Sequence, residues 1–180
     1  MARKATKKPF SLPRTASRPA LLKDGSDQDF RQFIYDLSTL TRRLDVVRGV
    51  LARRVFLTPP QYNILMVVAQ AQGTEEDGDE GVSVSAVARR LHVSTAFVTT
   101  QSACILELGL LEKRPNPKDR RGVLLRLTPR AEQLVAGLAP DLVELNDMVF
   151  RGLSRQEFTE LARIIAKLVD RAQEAVDSVS

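Results

Sequence analysis

The chain has 180 residues, 43% of them apolar and 5% aromatic, with no tryptophan, one cysteine and a formal net charge of +5. That is enough apolar material for one core or two closely joined ones. No apolar run approaches the roughly 20 residues that cross a bilayer, so no membrane association is expected. A single cysteine excludes an intrachain disulfide framework and suits the reducing cytoplasm, the expected location.

The charge is uneven. The first 23 residues hold seven Lys/Arg and no acid, residues 113–130 hold seven Lys/Arg against one Asp, and residues 75–80 hold five acids. A basic tail with a second basic cluster fits nucleic acid better than a membrane surface. Residues 1–26 have no secretory apolar core, and Pro9, Pro13 and Pro19 interrupt any amphipathic helix. They are read as a disordered basic arm. From residue 27 the pattern becomes regular. Phe30, Leu37, Leu44 and Leu51 are seven apart, with Phe33, Leu40 and Val47 on the neighbouring row, which predicts a helix with a heptad seam. Thr58-Pro59-Pro60-Gln61 is a helix start: a capping residue, proline at the first helical position, and glutamine three after the cap. The helix it opens is predicted to run through Ile64, Leu65, Val67 and Val68 to about Gln70.

Residues 72–81 read as a loop with three glycines and the acidic cluster. Glu75, Asp77 and Asp79 alternate as in a calcium loop, but the terminal bidentate glutamate and the flanking helices are missing, so solvated acids are expected. Ser85 is expected to cap a short helix to Leu91, with Val87, Ala88 and Leu91 on one face. His92-Val93 then form a tight turn. Ser94 is expected to cap a second helix to Leu108, on which Val98, Ser102, Ile105 and Gly109 make the packed row. Thr95, Ala96, Thr99, Thr100 and Ala103 are short and lie on other faces, and Ser94, Thr95, Ala96, Thr99 and Thr100 are the candidate DNA contacts of this helix. Such side chains let a helix sit deep in a major groove roughly 12 Å wide, and helix N-terminal amides favour phosphate. Cys104 on this helix is read as a small buried filler.

A hairpin follows. Leu111 to Arg114 is one strand, and Val123, Leu125 and Leu127 alternate with Leu124 and Arg126 in the other. Pro115-Asn116-Pro117 and Gly122 mark the tip. Lys118, Arg120 and Arg121 lie there, and arginine at such a tip can enter the electronegative minor groove. Asp119 is assigned to orient Arg121 by a bidentate pair. Thr128-Pro129 restarts a helix, which Leu134, Leu138, Leu142, Leu145 and Val149 carry to about Phe150, with Gly137 and Pro140 expected to bend it. Ser154 and Glu157 form a capping box, and Phe158, Leu161, Ile165 and Leu168 begin a second heptad seam.

Helix, tight turn, helix, basic hairpin is the order of a winged helix-turn-helix. The fold class is therefore mainly α with a small β wing. Residues 58–127 form the DNA-binding domain, and residues 27–57 and 128–180 form a helical dimerisation region built from both termini. One chain has too little material to cover both seams, so a homodimer is expected through Phe30, Phe33, Leu37, Leu40, Leu44, Phe158, Leu161, Ile165 and Leu168. Such a dimer sets two recognition helices about one DNA turn apart, roughly 34 Å.

The order and spacing of Leu57-Thr58, Gln61, Leu65, Val87-Ala88 with Leu91, Val98-Thr99, Gly109-Leu110, Asp119-Arg120-Arg121 and Leu127-Thr128 resemble the MarR family of bacterial transcription regulators. The likeness covers about residues 30–175. It implies that the helix at Ser94 is the recognition helix and that Asp119 and Arg121 belong to the wing motif that puts an arginine in the minor groove. It also implies repression as the commoner mode, and release from a pseudo-palindromic operator by a small aromatic or phenolic effector. Tyr62 is the candidate for lining the effector pocket. Two departures stand out: Thr100 occupies a position that is commonly basic, and Phe97 is bulkier than usual. No Ser/His/Asp arrangement, phosphate loop or metal-ligand spacing is present, so neither enzymatic activity nor a cofactor is expected. The alternative is a non-specific chromosome-associated or scaffolding winged-helix protein, for which the basic arm would serve.

Overall fold

The computed structural model describes residues 10–72, 81–117 and 119–179, with the backbone alone for residues 119–121. The chain divides into two compact units, residues 1–50 and 51–180. Residues 1–9 and the acidic cluster of residues 73–80 lie outside the described residues.

In the first unit, residues 10–26 carry local structure where a disordered arm is expected from composition. A 3-10 turn spans Pro19–Leu21. Lys23 and Ser26 bridge across a tight turn in which Asp24 and Gly25 have φ of 49° and 77°. Arg14 donates to the Gly25 carbonyl at 2.8 Å. The segment is fastened by Asp27, which is only 4% exposed. Its carboxylate accepts from the Thr15 amide at 2.6 Å and the Thr15 hydroxyl at 2.8 Å, and it pairs with Arg31. The Thr15 amide is the main reason the Asp27 pKa is held down at about 2, since a hydrogen bond to the charged form favours that form. Helix α1, Gln28–Arg54, begins here. Phe33 and Leu40 are exposed along it, while Phe30, Leu37 and Leu44 are half-buried.

In the second unit the end of α1 supplies Leu51, Ala52 and Val55 to a core completed by the elements that follow. Leu51, the last residue of the heptad row, is thus a core residue. The helix stops at Phe56, whose φ is 58°, with the Phe56 and Leu57 amides donating back to the Arg53 and Ala52 carbonyls. These two bonds satisfy the Ala52 and Arg53 carbonyls at the end of the helix. Helix α2 covers Pro59–Gln72, two residues past the predicted end. The Thr58 amide donates to the Gln61 side chain at 3.0 Å, the bond expected from the start signal. Strand β1 is Val82–Ser83, followed by α3, Val84–Leu91, and α4, Thr95–Glu107. Strands β2, Leu111–Asn116, and β3, Asp119–Leu127, form the hairpin. The sheet is antiparallel in the order β1-β3-β2, with Val82 opposite Leu125 and Leu111 opposite Leu127. Ile64, Leu65, Val68, Val87, Val98, Ile105 and Leu125 are the largest side chains fully enclosed.

The structure differs from the sequence reading at β1, at the cap of α3 and at Val123–Leu124. β1 is an unexpected strand, because two residues are too short to show a period of two. The cap of α3 is Ser83, which accepts from the Ala86 amide at 3.1 Å; Ser85 already lies inside the helix. Val123 is 40% exposed and Leu124 is buried beside Leu125, so both faces of the sheet are covered at that point and the simple alternation fails.

Helix α5, Pro129–Phe150, is capped by Thr128 and continues unbroken through Pro140. Helix α6, Arg155–Val179, opens with the predicted box: the Ser154 amide and hydroxyl donate to Glu157 at 2.8 and 2.7 Å. Those bonds, the hydroxyl first, lower the Glu157 pKa. Every described residue of α6 is exposed in the single chain.

Candidate nucleic-acid interface

The interface is built by α3, α4 and the wing. α3 ends at His92, which has φ of 52°; the His92 and Val93 amides donate to the Arg89 and Ala88 carbonyls. A non-glycine residue in the left-handed region closes this helix with two bonds, and the chain reverses at once into Ser94. The Ser94 hydroxyl accepts from the Phe97 amide at 3.1 Å, so the predicted cap of α4 is present. Val98, Ser102 and Ile105 are buried on one side of α4. Gly109, predicted on the same row, is exposed beyond the helix end with φ of 65°. There it closes α4, the Gly109 and Leu110 amides donating to the Leu106 and Ile105 carbonyls.

With that row buried, Ser94, Thr95, Ala96, Phe97, Thr99, Thr100, Ala103 and Cys104 are exposed. Cys104 is a free, exposed thiol rather than the buried filler expected. The buried row at 98, 102 and 105 leaves position 104 turned away from the core, at 3.6 residues per turn. α4 is also held from behind. The Thr128 hydroxyl donates to the Gly109 carbonyl at 2.8 Å, and Arg130 donates to the Leu108 carbonyl at 3.2 Å. The start of α5 thus grips the end of α4. Neither residue's role here is legible in the sequence, where Thr128 reads only as a cap.

In the wing, Asp119, Arg120 and Arg121 are in β3, with Asn116 opposite Asp119 and a register irregularity at Pro115/Asn116. Gly122 lies within the strand, so the tip is narrower than predicted. Lys118 and the side chains of Asp119, Arg120 and Arg121 lie outside the described residues, and so does the expected Asp119–Arg121 pair. On β2, Arg114 is held by Glu112 at 2.7–2.8 Å.

A sequence model described as MarR family matches residues 57–122, the stretch that contains α2, α3, α4 and most of the wing. The transcriptional regulator AdcR of Streptococcus pneumoniae serotype 2 is 31% identical over 90 residues. Residues 57–122 thus match the sequence pattern of the MarR family. The AdcR match covers 50% of this chain and 56% of that protein, so the chain spans little more than half of the relative's length. Among solved structures, a MarR protein from Peptoclostridium difficile superposes with a TM-score of 0.69 at 14% identity, covering 97% of this chain and 100% of that one. A MarR transcriptional regulator from Methanosarcina mazei Go1 gives 0.63 at 15% identity, covering 80% and 99%. At such identities the likeness establishes the fold, which extends the MarR-type winged-helix architecture beyond the matched segment.

Beside this MarR-type unit lies a cavity of about 830 Å³ between the end of α1, the end of α4 and the first half of α5. Val55, Phe56, Leu110 and Leu134 give it apolar walls, and Arg54, paired with Asp141, and Arg130 stand among its polar lining. Tyr62 does not line it; this side chain is 3% exposed and part of the core. Its place on α2 turns Tyr62 toward the buried side, into the core cluster that includes Ile64, Leu65 and Val68. No helix among the described residues is long and apolar enough to cross a membrane.

Proposed function

We propose that this chain is a dimeric, sequence-specific regulator of transcription of the MarR type, a repressor that binds double-stranded DNA and leaves it when a small-molecule effector binds. The carrying observation is the exposed N-terminal half of α4, which follows α3 and its tight turn and precedes a basic hairpin. Ser94, Thr95, Ala96, Thr99 and Thr100 face the major groove in this reading. Lys118, Arg120 and Arg121 contact phosphates or the minor groove, and Asp119 orients Arg121.

Dimerisation is supported by α6, where Phe158, Leu161, Ile165 and Leu168 are 52%, 38%, 37% and 42% exposed on a helix with no buried residue. Phe33 and Leu40 of α1 present a second apolar row. Exposed apolar area of this extent marks an association surface. Effector release is supported by the cavity beside α5. Its lining residue Arg130 holds the Leu108 carbonyl at the end of α4, so an occupant that engaged the Arg130 guanidinium would loosen the grip on the recognition helix. An aromatic or phenolic molecule suits the apolar walls. Such a ligand shifts DNA binding only by its preference for one geometry over the other.

The test is a gel-shift titration of the full chain on genomic fragments at several salt concentrations. Specific retardation that weakens steeply with salt is expected. Binding without a footprint would favour a non-specific chromosomal role, and affinity indifferent to salt would remove DNA as the partner.

A further inference from the structure

The DNA reading leaves open which base pairs α4 distinguishes. We propose, on the basis of that reading, that α4 recognises thymine through its 5-methyl group, with Phe97 and Thr100 as the main discriminating residues, so that each half-site is rich in A·T pairs.

The first observation is one of charge. α4 contains no lysine or arginine, and its one charged residue, Glu107, is at the C-terminal end. Guanine presents two acceptors, N7 and O6, to the major groove, and a cationic bidentate donor is its usual reader. This helix has none. The second observation concerns the hydroxyls. Thr99 Oγ1 donates to the Thr95 carbonyl at 2.8 Å, and Thr100 Oγ1 donates to the Ala96 carbonyl at 3.0 Å. The Ser94 hydroxyl is engaged as the cap. With the Thr99 and Thr100 protons turned back onto their own helix, these two side chains offer a partner a methyl group and an acceptor oxygen, but no donor for a guanine edge. Thr100 lies opposite the buried row, as the positions 98, 102 and 105 require at 3.6 residues per turn.

The third observation is Phe97. It is 38% exposed in the first turn of α4, and Val93 in the preceding turn is 37% exposed. In the major groove the thymine methyl is the one apolar group on a base-pair edge. A large aromatic ring there is mismatched to every other edge group and matched to this one. Gln101, half-buried on the same helix, is an amide of the type that pairs with adenine, which points to the same base pair.

The experiment selects bound duplexes from a random-sequence pool with the full chain. The selected duplex is then resynthesised with deoxyuridine replacing thymidine, one position at a time. Uracil keeps every hydrogen-bonding group and loses only the methyl. Loss of one buried methyl corresponds to about fourfold weaker binding. The expected result is an A·T-rich half-site with about that loss at one or two thymidines, and abolition of one of those effects in Phe97→Ala. A G·C-rich half-site overturns the inference, and so does a specific site indifferent to uracil; in both cases DNA recognition itself stands. Failure to enrich any sequence overturns the DNA reading together with the inference.

Discussion

Gly81 is the position where one added methyl group should do the most damage to the MarR-type unit. Its φ is +111°, and a Cβ built there would sit 2.6 Å from the Leu125 carbonyl oxygen and 3.2 Å from the carbon. The obstacle is backbone in the middle strand of the sheet, so no rotamer change relieves it. The next two residues are β1, paired with Leu125 and Leu124, and Ser83 of β1 caps α3. Gly81→Ala must therefore push β1 off β3 and drag the cap with it. Gly109 is the internal control: its φ is +65°, but nothing lies within 4 Å of its Cβ position.

Alanine at Gly109 should cost about 1–2 kcal/mol for the left-handed backbone, offset by about 0.4–1 kcal/mol from the stiffer unfolded chain. Alanine at Gly81 adds a displacement of the packing comparable to an overpacked core, about 1–3 kcal/mol more. For a chain of this size about 2–4 °C of melting temperature goes with each kcal/mol. Gly109→Ala should thus melt a few degrees below the parent, and Gly81→Ala further below by about 2–12 °C. The assay is thermal unfolding followed by circular dichroism at one fixed protein concentration, because self-association would tie the midpoint to concentration. If the two variants melt together, the steric argument at Leu125 is wrong.

Ser94→Ala removes the cap of α4 and should cost about 1 kcal/mol, read as a lower urea midpoint at unchanged m. Asp27, with its pKa held at about 2, should contribute stability that is complete above the ordinary carboxylate value of about 3.9 and is lost as pH falls through about 2. The Thr15 amide resonance should follow that titration; a midpoint near 4 would refute the latch. Asp27→Asn should speed tryptic cleavage after Arg14 at neutral pH, and an unchanged rate would show that the segment is held by something else. Replacing Arg120 and Arg121 by alanine should lower the slope of log K against log salt by about 0.9 for each phosphate left without its arginine, and an unaltered slope would remove the wing from the interface.

The helices of this fold are legible because they are long and repetitive. Ser94, Thr128 and Ser154–Glu157 each announce a helix start that the structure has. The row Val98, Ser102, Ile105 is readable because burial on one side of a helix recurs at a fixed spacing. What escapes is short or non-local. In Val82-Ser83-Val84-Ser85 two serines compete for one cap, and the choice is made by β1 pairing with residues more than forty positions away. Tyr62 looks suited to a ligand and is core, because an aromatic at the start of a helix does not reveal its side. Arg130, the residue that joins the cavity to α4, carries no signal, since its partner is a backbone carbonyl 22 residues earlier.

The acidic stretch of residues 73–80 is delimited by two fastenings to the same strand. Before it, the Gln72 side chain accepts from the Leu127 amide at 2.6 Å; after it, Gly81 is fitted against Leu125. Entry and exit are thus set two residues apart along β3, whatever lies between them. Closure entropy grows only by about 0.6 kcal/mol per doubling of a loop's length. This makes the stretch a natural graft point. A peptide tag or a reporter domain inserted there is expected to leave α3 and α4 in register.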